Sequence, residues 1–142
     1  MNIESFNYRR PYEMAAGLYI VCLLIFGLQY AFSSSGSHNE NLMEVWLYGS
    51  VACLIFAFFG SVTLLFAENF KRHWNQAIVS YIVLISVHIL ISGLISGVGI
   101  TETDNYRRIL IVVTIAFLVF ISIAGLIKRF ETWSKRQDNF KK

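Results

Sequence analysis

His88 is the residue with the most chemical reach in this chain. It lies within Trp74 to Thr101, a stretch that contains no Asp, Glu, Lys or Arg. An imidazole in such a setting can ligate haem iron, relay a proton or contact a quinone. Ionisable groups deep in a membrane characteristically face a bundle interior or a cavity. At about 100° per residue, Tyr81, Ser92 and Ser96 fall on the His88 side of a helix and complete a candidate intramembrane polar site. The competing role is structural, a neutral imidazole hydrogen-bonded to a neighbouring helix. That role is the expected one. A haem held by two histidines needs a second histidine at depth, and His38 and His73 fall outside the apolar runs.

Other side chains offer less. Cys22 and Cys53 lie in apolar runs without a Cys-x-x-Cys pair, so they read as small apolar residues rather than redox groups. No His-Glu-x-x-His, Gly-x-Ser-x-Gly or phosphate-loop pattern occurs. We therefore expect no catalytic residue, metal site or cofactor. Gln29 and Glu68 stand near run ends, where water or headgroups reach them.

The spacing of small residues is more informative. Gly49, Cys53, Ala57 and Ser61 recur every four residues, and Gly93 with Gly97 forms a Gly-x-x-x-Gly beside Ser92 and Ser96. Such ridges let helix backbones approach closely where lipid removes the hydrophobic drive for association. Both sets are expected to pack helices, one inside the chain and the other against a partner.

These residues are carried on elements set by hydropathy. Of 142 residues, 56% are hydrophobic and 15% charged, with mean hydropathy +0.55. Soluble domains carry roughly 25% charged residues, which excludes that class. Uncharged runs cover Met14–Phe32, Val45–Ala67, Trp74–Thr101 and Ile109–Ile127. About 20 apolar residues at 1.5 Å rise cross a 30 Å hydrocarbon core. Ile109-Leu110-Ile111-Val112-Val113 is apolar on every face, unlike the alternating segments of roughly ten residues in a membrane β-barrel. The sequence therefore predicts an all-α integral membrane protein, a single four-transmembrane-helix bundle. Its spans are about 12–32, 44–67, 75–99 and 107–127, followed by a basic tail, 128–142. The first run exceeds the roughly 7–15 residues of a signal-peptide core and reads as a retained helix.

Orientation follows from the basic residues. Arg9, Arg10, Lys71, Arg72 and the six Lys and Arg of the tail fall on one side; only Arg107 and Arg108 fall on the other. The positive-inside rule predicts both termini in the cytoplasm, of the inner (plasma) membrane if the cell is bacterial. The basic pI of about 9.0 then reflects topology rather than nucleic-acid binding. In a background lacking Cys22 and Cys53, an impermeant thiol reagent added outside should label Ser35→Cys and spare Ser134→Cys. The reverse pattern would invert this topology.

Local signals accompany the boundaries. Pro11 suits a first helical turn, and Asn41 with Glu44 has capping-box spacing, as Thr101 with Asp104 does before the fourth run. Trp46, Tyr48, Trp74, Tyr106 and Trp133 near run ends read as interfacial aromatics. Glu102 and Asp104 can neutralise the two outer arginines. Asn7-Tyr8-Arg9-Arg10 recurs as Asn105-Tyr106-Arg107-Arg108, but the helices that follow do not align, so the repeat is taken as chance. Phe130, Trp133 and Phe140 at helical spacing among basic residues suit either an extension of the fourth helix or a segment lying on an anionic leaflet.

The partners expected are the lipid bilayer and other membrane chains or further copies of this one. The leading expectation is a small non-enzymatic subunit of a membrane complex. The alternatives are an oligomeric channel or transporter with His88 and the helix-3 serines facing a path, a haem- or quinone-binding anchor, and a small membrane immunity or inhibitor protein.

Overall fold

The computed structural model describes residues 11–32, 38–67 and 69–140, with the side chains of 38–41, 138 and 139 left out. Four helices follow in chain order: α1 Pro11–Phe32, α2 His38–Leu65, α3 Phe70–Ser96 and α4 Asp104–Phe140. All four are long and apolar enough to cross a bilayer. This is the architecture of a multi-pass integral membrane protein.

Several boundaries have a local cause. Pro11 opens α1, where its missing N–H forfeits no helical bond. Gly97 ends α3 in a left-handed conformation (φ 69°), and its N–H donates to the Gly93 carbonyl. A side chain at Gly97 would be strained, because a Cβ crowds the backbone at positive φ. At the start of α4 the Thr103 carbonyl accepts from Arg107 N–H, so Thr103, rather than Thr101, is the residue that caps this helix. Asn41 does not precede α2 as expected: the helix already includes His38, so Asn41 lies within it. Glu44 instead accepts from Gln29 Nε2 at 2.8 Å, joining α1 to α2 at an exposed edge.

Charged residues do not stop these helices. α3 starts at Phe70 and runs through Lys71 and Arg72, both good helix formers. α4 continues for 37 residues, about 55 Å at 1.5 Å per residue, well beyond a 30 Å hydrocarbon core. Of the two arrangements the tail allowed, the structure has the extension of helix 4. Lys128 and Lys135 both pair with Glu131, at 3.1 and 2.6 Å, along its exposed face. Lys128 also donates to the Leu65 carbonyl at 3.2 Å, satisfying an orphan acceptor at the end of α2.

α2 is the hub. It packs on all three other helices, and 56% of its apolar window is buried against 22–28% for the others. α1 also meets α3, whereas α4 packs closely on α2 and reaches α3 through side chains. The ridge Gly49, Cys53, Ala57 and Ser61 lies on the buried side of α2. Small residues there let the hub be surrounded, since each neighbour needs a close approach. Large apolar side chains such as Leu24, Phe58, Leu90 and Val112 point outward. In lipid an outward leucine costs nothing, so the bundle is held by packing and internal hydrogen bonds.

Between the helices the core is aromatic. Tyr81 of α3 stacks on Phe117 of α4 with ring centroids 4.0 Å apart, and both rings face Phe56 of α2. Tyr81 OH donates to Thr114 Oγ1 at 3.1 Å, which satisfies the phenol without water. Trp74 lies against Gly125, where an added Cβ would come within 2.8 Å of the indole. α4 thus meets α3 through large side chains rather than by backbone approach.

A candidate functional site around His88

The imidazole of His88 is wholly buried at the meeting of α1, α2 and α3. Gly49 of α2 makes the site possible: a Cβ at that position would overlap the ring atoms Nδ1 and Cε1. The first glycine of the small-residue ridge is therefore the seat of the histidine. Trp46, one helical turn from Gly49, meets the imidazole edge-on with centroids 5.6 Å apart, and Tyr19 of α1 does so at 6.0 Å. Ser92, one turn along α3, places its Oγ 3.0 Å from Nδ1, while Tyr19 OH stands at 3.5 Å, the outer limit of a hydrogen bond.

The serines continue the cluster toward the end of α3. Ser96 Oγ accepts from Trp46 Nε1 at 3.0 Å and donates to the Ser92 carbonyl at 2.7 Å. Val98 N–H in turn donates to Ser96 Oγ at 3.3 Å. A string of polar groups thus runs from the α3–α4 connection to His88, two turns below. It ends there. His88 Nε2 is buried without a hydrogen-bond partner among the described residues. One ring nitrogen is left unsatisfied in either tautomer, at a cost of about 1–3 kcal/mol. Such an orphan in a folded protein calls for an explanation of its own.

His88, Ser92 and Ser96 thus come together, whereas Tyr81 does not join them; it bonds Thr114 on the other side of the bundle. Two contributors escaped the sequence reading. Trp46, near a run end, is fully buried within the bundle and pairs with Ser96. Tyr19, one of seven tyrosines, carried no distinguishing mark in a run apolar on all sides. The clue available was Gly49 close to Trp46, a small residue next to a large one near an expected helix end.

Other expected groups are dispersed. Cys53 and Ala57 are fully buried, and Ser61 Oγ donates to the Ala57 carbonyl at 2.7 Å. Among the described residues Gly93 and Gly97 have no close neighbour on another helix: around Gly93 an added Cβ would meet only the Val98 carbonyl oxygen, at 3.9 Å, and around Gly97 nothing within 4 Å. Gly97 lies one residue beyond α3 and serves as its terminator. Cys22 and Cys53 are free thiols. Glu68 and the first Asn-Tyr-Arg-Arg copy lie outside the described residues. Arg107 pairs with Asp104 at 2.7 Å, as their spacing allowed. Among the described residues no three His, Cys, Asp or Glu side chains converge on a point that would hold a metal.

Chemically, the His88 cluster fixes the orientation of three helices by directional bonds in a medium that offers no competing water. Comparison with protein families, with curated proteins and with solved structures yields no match. The reading of function therefore rests on this geometry.

Proposed function

We propose that the chain is a small non-enzymatic membrane subunit that acts by packing the outer face of α3 against a transmembrane helix of another chain. The observation that supports it is Gly93. On α2 the glycine of the small-residue ridge is filled by its own bundle, since His88 occupies the space over Gly49. Among the described residues Gly93 has no such occupant. It is itself half-buried, but it falls on the side of α3 that carries Val79, Ile82, Ser86 and Leu90, which are exposed. A glycine there costs roughly 0.5–1 kcal/mol of helix stability relative to alanine, with no compensating contact inside the chain. A close helix approach from outside would offset that cost.

Gly93→Ile tests the reading. The variant should insert and fold as wild type, because among the described residues a Cβ at this position meets nothing closer than the Val98 carbonyl oxygen, at 3.9 Å. It should lose at least tenfold of the membrane chains that co-purify after gentle extraction. Partner retention equal to wild type, or a wild type that is active as a lone 16.3 kDa monomer, overturns the proposal.

One observation favours a second reading, a small homo-oligomeric channel or transporter: the unpartnered His88 Nε2 at the end of the serine string. In that case the extracted assembly would contain this chain alone. Its proton or ion flux in liposomes would fall in His88→Gln.

A further inference from the structure

A groove of about 260 Å³ runs between α3 and α4, lined by Ile85 and Ile89 of α3, Ile100 of the connection, and Leu110, Ile111 and Ile115 of α4. It exists because large side chains hold α4 away from α3. At one end Thr114, bonded to Tyr81, contributes the one hydroxyl of its wall. At the opposite end, beside the α3–α4 connection, Arg107 completes the lining. On α4 the groove spans Arg107 to Ile115, about 12 Å at 1.5 Å per residue.

We propose that this groove binds one phospholipid of the surrounding leaflet, its acyl chain lying between α3 and α4 and its phosphate at the Arg107 guanidinium. A helix about 10 Å across would lie over the mouth of a groove this small rather than enter it. A single flexible chain fits, and the isoleucine and leucine walls match it. Charge complements the other end. Arg107 presents a planar fork suited to phosphate oxygens, and among the described residues only its Nη2 is engaged, by Asp104 Oδ1. The two side chains are 46% and 64% exposed, which leaves both open to a headgroup. Together they form a paired plus and minus that suits a zwitterionic headgroup, phosphate against Arg107 and ammonium against Asp104. The groove adjoins the outer face of α3 that carries Ser86, Leu90 and Gly93, but none of those three lines it.

The test uses the full chain reconstituted in nanodiscs of phosphatidylethanolamine and phosphatidylglycerol, re-extracted in mild detergent and weighed by native mass spectrometry. Wild type should retain about one phosphatidylethanolamine per chain. Ile111→Trp, which places an indole in the groove from a half-exposed position, should reduce that occupancy at least tenfold, and Arg107→Gln at least fivefold. Val112→Trp adds the same bulk on an exposed face outside the groove and should leave occupancy at the wild-type level, with all variants equally helical by circular dichroism. No retained phospholipid in wild type, equal retention in Ile111→Trp, equal loss in Val112→Trp, or a co-purifying polypeptide displaced by Ile111→Trp would each overturn the assignment.

Discussion

Gly49→Ala is expected to destabilise the bundle by about 3 kcal/mol, although a glycine-to-alanine change in a helix interior ordinarily gains roughly 0.5–1 kcal/mol. The clash decides the sign. The new methyl group would occupy the space of His88 Nδ1 and Cε1, and the ring has little freedom to retreat. Trp46 and Tyr19 bound it edge-on, and Ser92 holds Nδ1. Displacing the imidazole therefore disturbs α1, α2 and α3 together. Thermal unfolding in detergent, followed by size-exclusion profile, reads the loss. Its specificity is checked by a double mutant. His88→Ala alone leaves a cavity and is also destabilising, but Gly49→Ala in that background has room for its methyl. The two changes should therefore combine to less than their sum, with a favourable coupling of about 1–3 kcal/mol. Strict additivity would show that Gly49 and His88 are not the interlocking pair described above.

Phe117→Ala is expected to cost about 3 kcal/mol, near the lower end of the 3–5 kcal/mol seen for buried phenylalanines in soluble proteins. The reduction has a physical cause. A chain unfolded within the bilayer keeps its phenylalanine in an apolar medium, so the transfer contribution largely vanishes and the lost packing remains. Phe117 is 2% exposed and stacked on Tyr81 at 4.0 Å, in the layer that joins α4 to the rest of the bundle. Its loss should separate α4 first. Leu118→Ala, one residue further on an outward face, should change stability by less than about 0.5 kcal/mol. Equal effects at the two positions would contradict the assignment of inner and outer faces of α4.

Much of the architecture was legible because the bilayer imposes a length rule. Four uncharged runs translate into four helices without any knowledge of their packing. The ends were legible only where a residue acts through its own backbone, as Pro11 does. Gly97 was read as half of a packing motif, although its left-handed φ makes it a stop. Sequence spacing does not reveal the sign of φ. The caps at Asn41 and Thr101 failed for a related reason: polar segments beside the runs offer several serine, threonine, asparagine or aspartate candidates, and neighbouring contacts choose among them. Around His88, Ser92 and Ser96 were accessible because helical spacing alone puts them on its side. Tyr19 and Trp46 belong to other helices, and no local pattern links residues 42 or more positions away.

What the sequence determined by itself is therefore everything set by one helix in its solvent: the class, the number of spans, the small-residue ridges and the side of α3 that carries His88. Only the tertiary structure decided which ridge is covered by the chain's own helices, that α2 is the hub, that Trp46 is interior, and that α3 and α4 are held apart by aromatic side chains. The reason lies in the solvent. In water an outward face must be polar, so hydropathy separates inside from outside along each helix. In lipid both faces are apolar, and Trp46 and Leu47 cannot be told apart by polarity. Burial is then settled by which side chains interlock, as His88 does over Gly49.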